Sequence, residues 1–196
     1  MHPRLEDILK ELISGDDALA ESELTQIAAQ TESSLPEVLG ALRGLLSDAD
    51  DDVRWWAARA LAELDHPSVP PLLIEILADP AAAVRQCAAL GLWLRPHPDA
   101  VPDLITALDN QDRLFAGLAA DALEQIGAAA VLPLLDVLAH GSQQARREAV
   151  RALAKIGDQR AIPALFGALD DDSAIIEHWA NQGLERMGVG MIFFEP

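Results

Sequence analysis

Cysteine, tyrosine and long apolar runs are scarce or missing. The 196 residues include one cysteine, Cys87, no tyrosine and only 4% aromatic residues. A single cysteine excludes an internal disulfide, so nothing indicates an oxidising compartment. No apolar run approaches the roughly 18 residues that a membrane-spanning helix needs, and the opening MHPRLEDILKEL lacks the regions of a signal peptide. We therefore expect a cytoplasmic protein that is not inserted in a membrane.

Basic residues are scarce as well. The 14 Lys and Arg face 32 Asp and Glu, which gives a formal net charge of −18. This charge repels a phosphate backbone over most of the surface, so we expect no nucleic-acid partner. The 51% hydrophobic content is typical of a globular chain, and the abundance of Ala and Leu favours helices over strands.

An alanine-rich segment recurs along the chain, first as VRWWAARALAEL from Val53 and later, for example, as ARREAVRALAKI from Ala145. Its small residue before a leucine recurs with spacings of 31, 31, 30 and 31 residues, at Ala60, Gly91, Ala122, Ala152 and Gly183. Most copies follow a second apolar segment that opens with proline, which the first turn of a helix tolerates. A fixed period of paired helices, A and B, indicates a solenoid.

The segments AVPDLITAL, AIPALFGAL and RREAVRALAKIGD carry a family resemblance. They resemble the phycobilisome lyase HEAT-like repeat family, with units that read approximately A-V-P-x-L-L-x-x-L, an acidic turn, then V-R-x-x-A-A-x-A-L-x-x-I-G. The resemblance covers about residues 35 to 190. It implies an all-α fold, a right-handed α-solenoid (α-α superhelix) of about five HEAT-like helical pairs with an N-terminal helical cap.

The repeat register divides the chain into segments. We predict a degenerate cap over 1–34 and an apolar tail over 191–196 that folds back on the last pair or serves as an exposed docking or dimer-forming segment. The five predicted pairs span about 35–66, 67–97, 98–128, 129–159 and 160–190. Within the first B helix the 3.6-residue period predicts one core-facing stripe, made of Val53, Ala57, Ala60, Leu61 and Leu64.

The resemblance also implies that the B helices line a concave groove. Their outward positions are apolar in the N-terminal half and basic in the C-terminal half, so we predict an amphipathic binding groove. The predicted partner-binding residues are Trp56, Arg59, Cys87, Leu90, Leu94, Leu118, Arg147, Arg151, Lys155, His178, Trp179 and Arg186.

Several of these positions allow a structural interpretation. Leu90 and Leu94 belong to the core if the second repeat is rotated relative to its neighbours. The basic residues at Arg147, Arg151 and Lys155 share one helix face, as a solvated face paired with Glu148 and Asp121 would. The tryptophans Trp55 and Trp93 are expected to pack on the cap and between repeats, respectively.

Other charged and thiol groups are expected to be structural. The arginines of the repeated Val-Arg step and its equivalent, Arg54, Arg85 and Arg146, are expected to pair with acidic turn residues, as in HEAT-like proteins. Asp48 to Asp52 lack the glycine and the final glutamate of a calcium loop. The His-Glu steps of HEAT-repeat hydroxylases are also missing, so we expect no metal and no resident cofactor. Cys87 and His178 are weak catalytic candidates, and a packing role for Cys87 is the simpler interpretation.

Two functional hypotheses follow. The first is a non-enzymatic scaffold, monomeric or weakly dimeric, whose groove binds a protein or peptide with apolar and acidic groups. The second, implied by the family resemblance, is a tetrapyrrole-handling protein, either a bilin lyase or a phycobilisome or chlorophyll degradation factor. A tetrapyrrole is flat and apolar and carries two propionates, so an aromatic patch beside arginines suits it. Under this hypothesis His178 or Cys87 would contact the pigment.

Overall fold

The computed structural model describes residues 5–29 and 34–189, which form helices joined by short turns and contain no strand. The described segments open with the pair α1 (Leu5–Leu12) and α2 (Asp17–Ala28). Five further pairs follow: α3 (Leu35–Leu45) and α4 (Asp51–Glu63), α5 (Val69–Glu75) and α6 (Ala82–Leu94), α7 (Val101–Ala107) and α8 (Arg113–Ile126), α9 (Val131–His140) and α10 (Gln143–Ile156), α11 (Ile162–Gly167) and α12 (Ala174–Arg186). The predicted all-α fold of paired helices is confirmed. The tail 191–196 lies outside the described residues.

Local sequence signals set the helix ends. Several A helices have proline in the first turn, as at Pro102 of α7 and Pro163 of α11, where no intrahelical N–H is lost. The Asp112 side chain caps α8 by accepting hydrogen bonds from two backbone N–H groups of its first turn. After α10, Gly157 takes the left-handed conformation at φ 67°, which glycine adopts without steric cost.

The helices form two compact units, the first ending at Arg95 and the second beginning at Pro96. In the first unit α4 is central, since α2, α3, α5 and α6 all pack against it. In the second unit α8, α9 and α12 pack against α10. No helix in the described ranges is long and apolar enough to cross a membrane.

The core uses one equivalent leucine from every repeat. These leucines are at most 1% exposed: Leu61, Leu92, Leu123, Leu153 and Leu184. The predicted core stripe of α4 is also buried, except that Val53 is half-buried. Val53 differs because it lies in the first turn of α4 and lines a surface cavity.

The repeated arginines connect successive repeats. Arg54 binds the buried Asp79 carboxylate through two hydrogen bonds, of 2.8 Å from Nε and 3.0 Å from Nη2. Arg146 forms the equivalent ion pair with Asp171, again 25 residues further along the chain. The predicted pairing with acidic turn residues is confirmed for both. Arg85 donates hydrogen bonds to the backbone carbonyl oxygens of Asp79 and Pro80.

Candidate functional site

The outward B-helix positions of the first unit differ in exposure from the prediction. Trp56 is only 6% exposed, so its predicted place as an exposed groove residue is wrong. The physical reason is that four helices pack against α4. They bury more of its circumference than the side that faces α3, and Trp56 lies within this larger buried surface. Trp55 is half-buried, and its ring meets that of Trp56 edge-on, with centroids 4.8 Å apart and planes at 82°.

Cys87, one repeat after Trp56, is buried in the same way. Its exposed fraction is 6%, which contradicts the expectation that it faces the groove. Burial raises the pKa of the Cys87 thiol to about 11, and the positive charge of Arg59 offsets this only in part. A thiol with this pKa is protonated at neutral pH and is a poor nucleophile. The structure therefore favours a packing role and speaks against Cys87 as a catalytic group.

The burial of Cys87 gives a kinetic prediction. At pH 8 about one thiol in a thousand is ionised when the pKa is about 11, compared with roughly a quarter in an unfolded chain. We expect iodoacetamide to alkylate the folded protein at least about a hundredfold more slowly than the urea-unfolded chain. Mass spectrometry of quenched time points measures both rates. Similar rates in the two states would show that the thiol is accessible and ionised.

The end of α6 carries an exposed apolar surface. Leu90, Trp93 and Leu94 are 40%, 40% and 44% exposed, and their spacing of three and four residues places them on one helix face. We call these three residues the α6 patch. Two structural interpretations are thus wrong, because the leucines are not core and Trp93 is not enclosed between repeats. The neighbouring Gly91 and Leu92 occupy the buried side of α6 instead.

The equivalent positions of α4 carry charge instead. One repeat before Leu90 and Leu94 stand Arg59 and Glu63, which form an ion pair one helical turn apart. Both side chains are about a third exposed or less, at 28% and 34%. An ion pair on α4 and two leucines on α6 therefore occupy the same register, and of these two helices it is α6 that offers a large apolar surface to a partner.

In the second unit two of the four residues of the predicted basic cluster are neutralised. The Arg151 guanidinium lies 2.5 Å from the Asp121 carboxylate and 2.9 Å from that of Glu148. Lys155 donates a hydrogen bond of 2.9 Å to Glu124. Burial would lower the pKa of Arg151, but the two carboxylates raise it above its ordinary value. The network favours the structural interpretation of these two cations, because their charges are used within the unit.

Two arginines of the cluster remain available. Within the described ranges, neither Arg147 on α10 nor Arg186 on α12 has an ion-pair partner, and the Nε atom of Arg147 is buried without a hydrogen bond. On α12 the exposed His178 stands edge-on to the half-buried Trp179, with ring centroids 5.7 Å apart. Since α10 and α12 pack together, the second unit combines an aromatic pair with two free guanidinium groups.

The remaining predicted groups are placed as follows. Leu118 is half-buried on α8. No cluster of three or more His, Cys, Asp or Glu side chains that could hold a metal ion occurs within 5–29 and 34–189. A feature that the sequence reasoning missed is a cavity of about 530 Å³ in the first unit, between α2 and α4. It was missed because four of its ten lining residues come from the cap, whose looser spacing gives no register to align with α4.

Comparison with known proteins gives consistent matches. HEAT repeats match at residues 5–86, 70–142 and 131–189. The uncharacterized phycocyanin operon protein Z of Pseudanabaena tenuis (strain PCC 7409) is 31% identical over 162 residues, 77% of this chain and 80% of its own length. The phycocyanobilin lyase subunit beta of the same strain is 40% identical over 106 residues. This match covers 54% of the chain but only 36% of the lyase subunit.

A solved structure shares the fold. The complex of CpcE and CpcF of phycocyanin lyase from Nostoc sp. PCC7120 aligns with a TM-score of 0.56 and 23% identity, over 96% of this chain and 78% of the matched chain. At this identity the likeness establishes a common solenoid fold.

Proposed function

Because the chain belongs to the HEAT-repeat family of the phycobilisome lyase type, we propose that it is a non-enzymatic scaffold that binds a protein partner. The observation that carries this proposal is the α6 patch, with three large apolar side chains each 40% or more exposed on one helix face. Contiguous exposed apolar side chains on a soluble domain mark interaction sites, and tryptophan is frequent among binding hot spots.

The relatives favour a phycobiliprotein subunit as the partner, since one is named for a phycocyanin operon and another for a phycocyanobilin lyase. Such a partner would bury apolar side chains against the α6 patch. Separately, acidic groups of the partner would meet the free guanidinium groups of Arg147 and Arg186 in the second unit. Full burial of one large apolar side chain contributes about 1.5–3 kcal/mol, so the patch can support micromolar binding after the costs of association.

The test is calorimetric titration of the purified chain with phycocyanin subunits that lack pigment. We expect binding in the micromolar range, and we expect the double variant Leu90→Ser/Leu94→Ser to weaken it by about tenfold or more, because two apolar side chains no longer gain from burial. Both leucines are already partly exposed, so the fold should tolerate serine.

A matched control uses leucines that are exposed elsewhere. Leu114 and Leu132 are 59% and 63% exposed, and the double variant Leu114→Ser/Leu132→Ser makes the same chemical change on α8 and α9. We expect this control to bind like the parent chain. Equal weakening by both double variants, or none by the α6 variant, would remove the α6 patch from the proposal.

Pigment handling is the second candidate, favoured by the aromatic pair beside free arginines in the second unit. A bilin could lie against His178 and Trp179 while its two propionates pair with Arg147 and Arg186. The lyase relatives support this candidate by their names, and the same residues would serve a lyase or a pigment-degradation factor. Cys87 has no part in it, because the thiol is buried.

The pigment candidate has a spectroscopic test. Adding phycocyanobilin to the chain should shift its absorption band and quench tryptophan fluorescence, and Trp179→Phe should remove most of the quenching if the pigment lies on α12. The variant Trp93→Phe is the control, since it removes an exposed indole of the α6 patch. No response at tens of micromolar pigment would count against this candidate and leave protein binding as the proposed function.

A further inference from the structure

The cavity between α2 and α4 combines two aromatic rings with several carboxylates. Its volume is about 530 Å³. Its aromatic lining is Trp55 and Trp56, whose rings stand nearly perpendicular to each other. The full lining consists of Ile13, Gly15, Asp17, Glu21, Asp50, Asp52, Val53, Trp55, Trp56 and Ala83. Neither the proposed function nor the repeat architecture uses this cavity.

The carboxylates of the cavity have few partners inside the protein. Asp50 caps α4 by accepting a hydrogen bond from the backbone N–H of Asp52. Within the described ranges, Asp17, Glu21 and Asp52 form no ion pair or side-chain hydrogen bond. The negative charge of Glu21 acts on Arg59, but Arg59 is already ion-paired with Glu63. The cavity therefore carries a net negative charge.

Acidic residues in the first turn of a helix have an ordinary role, since they stabilise its positive end. That role accounts for Asp17 and Asp52, which lie in the first turns of α2 and α4. It does not account for Glu21, which lies in the middle of α2, nor for two indole rings lining the same space. Rings and carboxylates together form the environment that organic cations prefer, because indole faces attract cations and carboxylates pair with them.

The Trp56 indole N–H adds a second requirement. Trp56 is 94% buried, with 6% of its surface exposed along the cavity that it lines. Its N–H meets no hydrogen-bond acceptor among the residues that the structure describes. This N–H is therefore free to donate to an acceptor that a ligand brings into the cavity, and a ligand with an acceptor as well as a cation would use both features of the lining. A lysine or arginine residue of a polypeptide has both, in its side chain and in its backbone carbonyl.

We propose that this cavity binds a basic side chain, lysine or arginine, of a polypeptide partner, with the cation among the Asp17, Glu21 and Asp52 carboxylates and a carbonyl oxygen on the Trp56 N–H. The inference is independent of the α6 patch, because none of the three patch residues lines the cavity and the ligand is a cation rather than an apolar surface. The net charge of −18 would also attract basic segments at a distance.

The test follows the four indole N–H signals of the chain in ¹⁵N-labelled protein by NMR. The probe is the acetylated and amidated tripeptide Gly-Arg-Gly. We expect it to shift the signals of Trp55 and Trp56, assigned by single Phe substitutions, and to leave those of Trp93 and Trp179 in place. The same peptide with citrulline in place of arginine is neutral and has the same shape. Its affinity should be lower by at least about tenfold.

Two double variants distinguish the effect of the cavity carboxylates on binding from the effect of the net charge of the protein. Glu21→Gln/Asp52→Asn removes two cavity carboxylates and should weaken the arginine peptide by about tenfold. Glu37→Gln/Asp103→Asn removes two exposed first-turn carboxylates outside the cavity and should leave the affinity nearly unchanged. Equal weakening by both variants, equal shifts of all four indole signals, or equal binding of the citrulline peptide would each overturn the proposal.

A third arm distinguishes a peptide from a small free cation. Butylguanidine carries the same cation and an apolar stem but no carbonyl group, so it should bind several-fold more weakly than the tripeptide. If butylguanidine binds as tightly as the tripeptide, the peptide assignment is wrong and the cavity is a small-molecule cation site. Failure of this cavity would leave the test of the α6 patch with phycocyanin subunits unaffected, since the two use different ligands and variants.

Discussion

Replacing Asp79 by alanine is expected to lower the thermal unfolding midpoint of the first unit by roughly 10 °C. The Asp79 and Arg54 side chains are 6% and 10% exposed and face each other at 2.8 Å. The variant leaves the Arg54 guanidinium buried with only the carbonyl oxygens of Asp48 and Ala49 as partners. It also removes the acceptor of the Ala81 backbone N–H. Circular dichroism on heating measures the midpoint.

The control for Asp79 is an ion pair on the surface. Arg43 and Glu75 are 66% and 56% exposed and 3.4 Å apart, so solvent screens their attraction and the pair contributes little. We expect Glu75→Ala to shift the midpoint by no more than about 2 °C. If the two variants shift it equally, the buried pair does not hold the successive repeats together.

The same pair predicts a pH dependence. Burial would raise the pKa of Asp79, but the hydrogen bonds from Arg54 and from the Ala81 N–H outweigh it and hold the pKa below its ordinary value. Its stabilisation is therefore present in full above the ordinary aspartate pKa of about 3.9 and is lost as pH falls through the lower folded value. The difference between parent and Asp79→Ala should be constant near neutral pH and shrink below about pH 4.

Gly183→Ala is expected to lower the unfolding free energy of the second unit by about 2 kcal/mol, despite the better helix propensity of alanine. A Cβ atom at position 183 would lie 2.9 Å from both the Cα and the Cβ of Ala154, and 3.1 Å from Leu165 Cδ1. The first two belong to α10, which cannot move without repacking the core. Urea unfolding followed by circular dichroism measures the change.

The chain supplies its own control at Gly91, the equivalent residue three repeats earlier in the small-residue register. A Cβ atom there would lie 2.9 Å from Leu73 Cδ1 and 3.3 Å from Ala62 Cβ, and the end of the leucine side chain can rotate away whereas a helix backbone cannot. Gly91→Ala should therefore be neutral, or stabilising by up to about 1 kcal/mol through helix propensity. If both variants are destabilised equally, the prediction is wrong, because the cost would then not depend on whether the new methyl group meets a helix backbone or the end of a side chain.

The repeat sequence by itself determined the helical pairs and the core. A small residue followed by leucine at a spacing near 31 placed Leu61 and its four equivalents, and all are buried. Prolines, capping residues and glycines marked most helix ends, because these signals act over one or two turns of backbone. The family resemblance implied that Arg54 pairs with an acidic turn residue, and the structure identifies Asp79 as that residue.

Only the tertiary structure decided which outward positions are open. Trp56 and Cys87 share a register with the half-buried Leu118, yet they are buried, because the exposure of one helix depends on which other helices pack against it. The charges of Arg151 and Lys155 were visible in the sequence, but their neutralisation by Asp121 and Glu124 on α8 depends on side-chain geometry between helices.

The cavity at Trp55 and Trp56 shows most clearly which features the sequence determined and which the tertiary structure decided. Adjacent tryptophans in a helix were an evident anomaly of the sequence, but their environment comes from α2, which has no repeat pattern to fix its register. Periodicity specifies what repeats along a chain, because each repeat packs against a similar neighbour. At the end of the array α4 packs against the cap instead of a further repeat. The packing of the cap therefore determines that this surface is a cavity lined by indole rings and carboxylates.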